Sequence, residues 1–325
     1  MRKQNNKKQE LGIYYTPEVV VEFVFDILNV LKNKEDKETQ RWQSRKPRPH
    51  YPSVIDPACG EGIFLKKAIE KGFTKPKYTW GIDIDSGAKL LWERINLLKS
   101  FGSKAELNKH FFPQDGLLRL PDIKYRHKLN SLRDFDAVVG NPPYGGIGIE
   151  EIDSALEKAL YDFDIWKYTQ KRKYLTATGP VRQEHLLDQP ILRKDIRSKL
   201  KKYPIEILFI ERFLQLCKPG GRIAIIIPDG ILANSTYDYI RQFIAERAKI
   251  LAIVSLPRET FKRAGTSAKT SILFLQKTRD KLLTQKKDWD YPVFLALVNK
   301  LEKQSFDIII KDFKSFVGKG VLNND

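Results

Sequence analysis

The feature that most constrains this chain is a series of short apolar runs, each stopped by a turn residue and most followed by a helical pattern. From Ser53 onward SVIDPA, YTWGIDI, FDAVVG, RIAIIIP (222–228), LAIVSLP (251–257) and SILFLQK (271–277) read as strands. A weaker strand lies near His110 to Pro113. EGIFLKKAIEKG, ending at Gly72, and AKLLWERINLLKS carry helical spacing between them. Near-continuous apolar strands alternating with helices imply a parallel sheet covered on both faces. The expected fold is therefore α/β: a doubly wound, mostly parallel seven-stranded sheet whose last strands form an antiparallel edge. Upstream, Thr16 reads as an N-cap and Pro17 as the first helical position. Val20, Phe23, Val24, Ile27, Leu28 and Leu31 then recur at helical spacing. Residues 32–52 are charged and contain proline, and read as a loop with room for a helical piece.

In a doubly wound sheet ligands bind at the carboxyl ends of the strands, so the residues there carry the functional reading. VIDPACGEGIFL (54–65) ends a strand at Asp56 and turns into a helix through Gly60 and Gly62, with Ala58 in the turn. Glycines there let a ligand approach the backbone. The stretch is neither GxGxxG nor a Walker loop, and an acid at Asp56 would repel a phosphate. It suits a ligand with an ammonium and a sulfonium group, which S-adenosylmethionine has. WGIDID (80–85) places Asp83 where an acid commonly accepts from ribose hydroxyls, with Asp85 as the alternative and Ile84 beside it on the cofactor side. Asp115, in FPQDG, is placed to accept from an adenine amino group.

The tip of the fourth strand reads DAVVGNPPYGG (136–146). Consecutive prolines cannot continue a strand ladder, and they hold the backbone stiff. They thereby fix Asn141 and Tyr144. An exocyclic amino group is a poor nucleophile because its lone pair is delocalised into the ring. Two acceptors aimed at its hydrogens draw it toward tetrahedral geometry. The Asn141 side chain and the Pro142 carbonyl are the candidate acceptors, stiffened by Pro143. Tyr144 is the candidate to stack on a base rotated out of a duplex.

Charge supports a polyanionic partner. Lys plus Arg total 58 against 40 Asp plus Glu, a net charge of +18. A basic insertion, residues 147–204, follows the strand tip. It reads either as a solvated insertion or as a phosphate-contacting flap, and its place right after the strand tip favours the flap, with Lys171, Arg172 and Lys173 as candidate DNA-backbone contacts. Cys59 and Cys217 form no disulfide framework, and His50, His110, His127 and His185 have no ligand spacing, so no metal is expected. No apolar run approaches ~18 residues, and the basic N-terminus lacks the apolar core of a signal peptide, so a cytoplasmic protein is expected.

With DPACG, GIDID and NPPY in that order, the chain resembles the amino-methylating DNA methyltransferases, and GIYYTPEVVVEFV (12–24) ahead of them resembles the gamma group of N6-adenine enzymes. That group includes modification subunits of type I restriction systems and methylase domains of fused restriction–modification enzymes. The resemblance implies that Tyr15, Thr16 and Pro17 border the methionine end of S-adenosylmethionine. PGGRIAIIIPDGIL (219–232) and VSLPRETFKRAGTSAKTSILFL (254–275) look like late motifs of the group, which makes Phe261 a second aromatic wall of the base pocket.

The implied function is site-specific adenine-N6 methylation of DNA in a restriction–modification system. RNA adenine methylation, glutamine-amide methylation of a protein and a cofactor-binding, DNA-binding subunit inactive without a specificity partner are the alternatives. The resemblance gives a basic tail (1–10), a catalytic domain (11–277) and a C-terminal extension (278–325) too short for a full target-recognition domain. Specificity is then expected in a partner subunit or a missing C-terminal part.

Overall fold

The computed structural model describes residues 15–42, 51–118, 134–144, 156, 159–160, 163–165, 203–264, 268–278, 283, 285 and 288–319. Eight strands form one sheet: β1 Val54–Asp56, β2 Thr79–Asp83, β3 Phe111–Pro113, β4 Phe135–Gly140, β5 Cys217–Pro228, β6 Ala248–Ser255, β7 Thr270–Lys277 and β8 Phe294–Leu297. The helices are α1 Glu18–Trp42, α2 Ile63–Glu70, α3 Ala88–Arg94, α4 Leu97–Phe101, α5 Lys104–Asn108, α6 Ile205–Leu216, α7 Asp229–Ala233, α8 Asp238–Arg247 and α9 Lys303–Gly318.

The spatial order is β3-β2-β1-β4-β5-β7-β6-β8. The first five strands in that order run parallel, β7 is antiparallel to both β5 and β6, and β8 is parallel to β6. The α/β, mostly parallel class is thus as the sequence implies. Two details differ. The antiparallel strand is β7, set inside the last strands, with β6 and β8 beyond it. The sheet also has an eighth strand, β8, which is short and alternates half-buried Phe294 and Ala296 with exposed Leu295 and Leu297. A strand buried on one face only does not show the continuous apolar run that marks the central ones.

Successive residues of a strand point to opposite faces, so the two faces have separate cores. Ala137 and Val139 pack with α1, α2, α3 and α9, whereas Val138 packs with α6 and α8. Residues beyond 278 belong to this body: Phe306 of α9 lies 4.9 Å from Phe23 of α1, ring to ring. The helix α1 extends past Leu31 to Trp42, where the sequence reads as a loop with room for a helical piece. Its apolar stripe ends there, but no glycine or proline interrupts 18–42, so nothing stops the backbone. Conversely, AKLLWERINLLKS is two helices, because Asn96 takes φ 61° between α3 and α4. Asparagine tolerates that left-handed conformation better than most residues.

Buried Lys67 of α2 joins the two N-terminal helices, reaching Glu22 at 2.8 Å, Glu70 at 3.0 Å, and Glu18. Lys71 adds a pair with Asp26 at 2.9 Å. These contacts fix the start of α1 relative to the turn before α2. No helix among the described residues is long and apolar enough to cross a membrane.

Candidate active site

The carboxyl ends of β1, β2, β3 and β4 meet at one rim, and each carries a residue singled out by the sequence. After β1 the turn needs glycine at two places, Gly60 at φ 49° and Gly62 at φ 81°. The Gly60 N–H donates to Asp83 Oδ2 at 2.7 Å, and the Asp85 N–H donates to Asp83 Oδ1 at 2.9 Å. Asp83 therefore ties the glycine turn to the end of β2, and a carboxylate with four acceptor positions has capacity left for ribose hydroxyls. Burial holds its carboxyl above the usual carboxylate range. Ile84, next in the chain, is 64% exposed, an apolar side chain standing at the rim. Asp85 is exposed and accepts from the Gly87 N–H at 2.8 Å.

Asp56 lies beneath the turn rather than on it. It is buried, its Oδ1 accepts from the Ala58 N–H at 3.0 Å, and burial pushes its carboxyl well up. A Cβ on Gly140 would come within 2.5 Å of that Oδ1, so β4 can pass Asp56 only with glycine there. Asp115 follows β3, where its Oδ1 accepts from the Leu117 N–H at 2.9 Å. The glycine turn also rests on Trp92, which the sequence does not single out. Its Nε1 donates to the Gly60 carbonyl at 3.2 Å, and a Cβ on Gly62 would fall 2.7 Å from the same atom. An apolar helix position carries no sequence signal of such a role.

Asn141 and Thr16, 125 residues apart in sequence, are brought together at the tip of β4. Asn141 Nδ2 donates to Thr16 Oγ1 at 3.1 Å. The hydroxyl read as a helix cap thus receives the amide nitrogen of the candidate target-binding residue. Tyr15 is 40% exposed beside it, Pro17 is half-buried and Pro142 is buried. Pro143 is half-buried. Tyr144 and Phe261 also meet, ring centroids 6.1 Å apart at 80°, both fully buried. Phe261 comes from the turn of helix Arg258–Ala264 that links β6 toward β7. At the end of β5, unremarked in the sequence, Asp229 accepts from Ser271 Oγ at 2.7 Å and pairs with Lys269 at 3.4 Å.

Lys171, Arg172 and Lys173 lie outside the described residues. The chain leading toward them is anchored by Glu211 of α6, whose carboxylate accepts from the N–H groups of Asp164 at 2.7 Å and Ile165 at 2.9 Å. Burial is the main cause that raises the Glu211 pKa to about 7. The sequence does hold a signal for it: IEILFIERFLQL is apolar nearly all round, and charges inside such a helix need partners.

Taken together, fold and rim define a doubly wound α/β protein with a glycine turn tied to a carboxylate at the ends of the first two strands, and an asparagine beside a packed pair of aromatic rings after the fourth. Residues 1–321 match the family model N-6 DNA Methylase, and the chain belongs to that family. It is 26% identical over 257 residues to the type II methyltransferase M.BanIII of Aneurinibacillus aneurinilyticus, covering 77% of this chain and 36% of that one. It is 22% identical over 277 residues to the methylase subunit of the type I restriction enzyme EcoEI of Escherichia coli, covering 82% and 42%. The chain therefore spans half or less of the length of these relatives. Among solved structures, the methyltransferase subunit of a type I restriction-modification system from Streptococcus thermophilus shares the fold, with TM-score 0.52 and 17% identity over 93% of this chain and 53% of that one.

Proposed function

We propose that this chain is the catalytic unit of a DNA adenine-N6 methyltransferase that uses S-adenosylmethionine, acting in a restriction–modification system. The observation that carries the reading is the Asn141–Thr16 hydrogen bond. An asparagine held through its amide nitrogen presents its carbonyl oxygen as an acceptor. Its neighbour Pro142 supplies a backbone carbonyl whose direction is stiffened by Pro143. Two acceptors on one amino group localise its lone pair, and their fixed placement is electrostatic preorganisation. Tyr144 and Phe261 hold the adenine ring once it has left the duplex, and the edge-to-face pair they make must open to admit it.

The residues present fit the cofactor: positive-φ glycines for close backbone approach, a carboxylate for ribose, exposed Ile84 for a ring face and Asp115 for an amino group. Bound S-adenosylmethionine supplies a methyl group on a sulfonium centre. Tyr15, Thr16 and Pro17 would border its methionine end, Ala58, Gly60 and Gly62 would lie along it, and Asp56 shapes the turn from beneath by accepting from the Ala58 N–H. What remains for the protein is to align the nitrogen with the methyl–sulfur bond and exclude water.

Sequence recognition is assigned to a partner subunit or a further domain. The basic insertion contributes phosphate contacts. Neutralising Lys171, Arg172 and Lys173 together is expected to flatten the salt dependence of DNA binding, and an unchanged slope would remove those residues from the interface.

The direct test is incubation with labelled S-adenosylmethionine and unmethylated DNA, digestion to nucleosides, and mass spectrometry for N6-methyladenine. Wild type, together with the partner or domain that carries recognition, is expected to give signal, and Asn141→Ala in the same assembly to lose at least about a hundredfold in rate while binding the cofactor as before. Methyl transfer at the native rate by Asn141→Ala would overturn the assignment.

A further inference from the structure

We infer that Arg212 of α6 is a positioning residue that fixes Asp115 and so sets the preference of the cofactor site for adenine. The inference rests on the cofactor reading above.

Arg212 is 4% exposed, in the middle of an apolar helix. Its guanidinium reaches across to the turn after β3. Nε donates to the Gly116 carbonyl at 2.9 Å, and Nη2 donates to the Leu118 carbonyl. Nη1 donates to Gln215 Oε1 at 3.2 Å, which holds the fork in its plane. The other side of the same turn presses on the glycine turn: a Cβ on Gly116 would lie 2.0 Å from the Pro57 carbonyl oxygen. Residues 115–118 are thus pinned between a buried guanidinium and the backbone of the cofactor turn.

Within that turn the direction of the Asp115 side chain is locked. Its Oδ1 accepts from the Leu117 N–H at 2.9 Å, and its carbonyl accepts from the Leu118 N–H at 3.0 Å. The two residues whose carbonyls Arg212 holds flank the one whose N–H holds the Asp115 carboxylate. Moving the fork moves the carboxylate. Arginine suits this task because its donors have fixed mutual geometry, whereas the lysine ammonium is a point charge on a flexible stem. The signal in the sequence is an arginine in a helix apolar on every side, for which a buried charge must find acceptors.

The test compares binding of S-adenosylhomocysteine with that of S-inosylhomocysteine, in which an oxo group replaces the adenine amino group, by calorimetry on the full chain. Wild type is expected to favour the adenosyl compound by about tenfold or more, since the analogue leaves the carboxylate facing an acceptor. Arg212→Lys is expected to weaken the adenosyl compound and leave the inosyl compound nearly unchanged, so the ratio falls toward one. Gly116→Ala, which pushes the same turn from the Pro57 side, is expected to do likewise and serves if Arg212→Lys does not fold. Asp115→Asn separates the two ideas. A ratio collapsed by Asp115→Asn but kept by both other variants overturns the role of Arg212. A ratio kept by Asp115→Asn overturns the adenine contact itself, and the inference with it.

Discussion

The two halves of the candidate site are built differently. On the cofactor side, the groups that act are close in sequence to a strand end and are held by main-chain hydrogen bonds: Gly60 and Asp85 donate to Asp83, Ala58 to Asp56, Leu117 to Asp115. On the target side, three remote segments contribute one side chain each or nearly so: Thr16 before α1, Asn141 and Tyr144 after β4, Phe261 between β6 and β7. The first half is built from strand-end turns, two of them closed locally at Asp56 and Asp115 and two tied together through Asp83. The second half exists only when segments remote in sequence have come together across the sheet. In the proposed function, binding and positioning are thereby divided between locally built turns and a cluster assembled from distant segments.

Substitutions can break that contrast. The largest expected effect is at Gly62. A side chain there meets both an unfavourable φ, at roughly 1–2 kcal/mol, and overlap with the Trp92 indole, at roughly 1–3 kcal/mol more. Gly60 also has positive φ, but its Cβ would meet nothing within 4 Å. Gly62→Ala should therefore lose several kcal/mol in chemical denaturation and most cofactor affinity, with Gly60→Ala losing only the backbone part. Equal losses would mean that Trp92 yields.

Asp83→Ala comes next. It removes an acceptor from the Gly60 and Asp85 amides and should raise the cofactor Kd by about tenfold, measured by calorimetry. An unchanged Kd would move the ribose contact to Asp85. On the pocket side, Thr16→Val should lower kcat by about fivefold to tenfold, the worth of one hydrogen bond, and leave cofactor Kd alone, with Thr16→Ser restoring the rate. If Thr16→Val weakened cofactor binding and spared kcat, Thr16 would belong to the cofactor side instead.

The smallest effect concerns pH. The Glu211 pKa is raised from 4.5 to about 7, so the fold favours its neutral form. Its contribution to stability is complete below about 4.5 and is lost as pH rises through about 7. Asp56 and Asp83 are raised too and shift stability in the same sense, so the informative quantity is the difference between wild type and Glu211→Gln. The Tm of wild type should fall across that interval by a few degrees more than the Tm of the variant, at about 2–4 °C per kcal/mol. Parallel curves would show that Glu211 titrates normally.

How much was legible follows the same division. The places of Asp83 at a strand end and of Gly60 and Gly62 in a turn were legible because turn chemistry and strand ends are short-range, and NPPY announces a stiff tip wherever it is placed. The kink at Asn96 was missed, and the helical piece within 32–52 could not be placed as a continuation of α1, for a different reason. Periodicity reports which face of a segment is apolar; it does not report a single left-handed residue such as Asn96, nor how far a helix runs once its apolar stripe has ended. The half-exposed β8 gave too weak an alternation to count as an eighth strand.

The sequence by itself determined the succession of the seven apolar strands and which residue stands at the tips of the first four, since both depend on neighbours a few positions away. Only the tertiary structure decided that Thr16 receives the Asn141 amide across 125 residues, that Phe261 meets Tyr144, and that Arg212 holds a turn 96 residues earlier. Those pairings depend on the order in which parallel strands lie side by side and on which face each helix covers. No local pattern encodes a distance between segments that meet only after the sheet has closed its two cores.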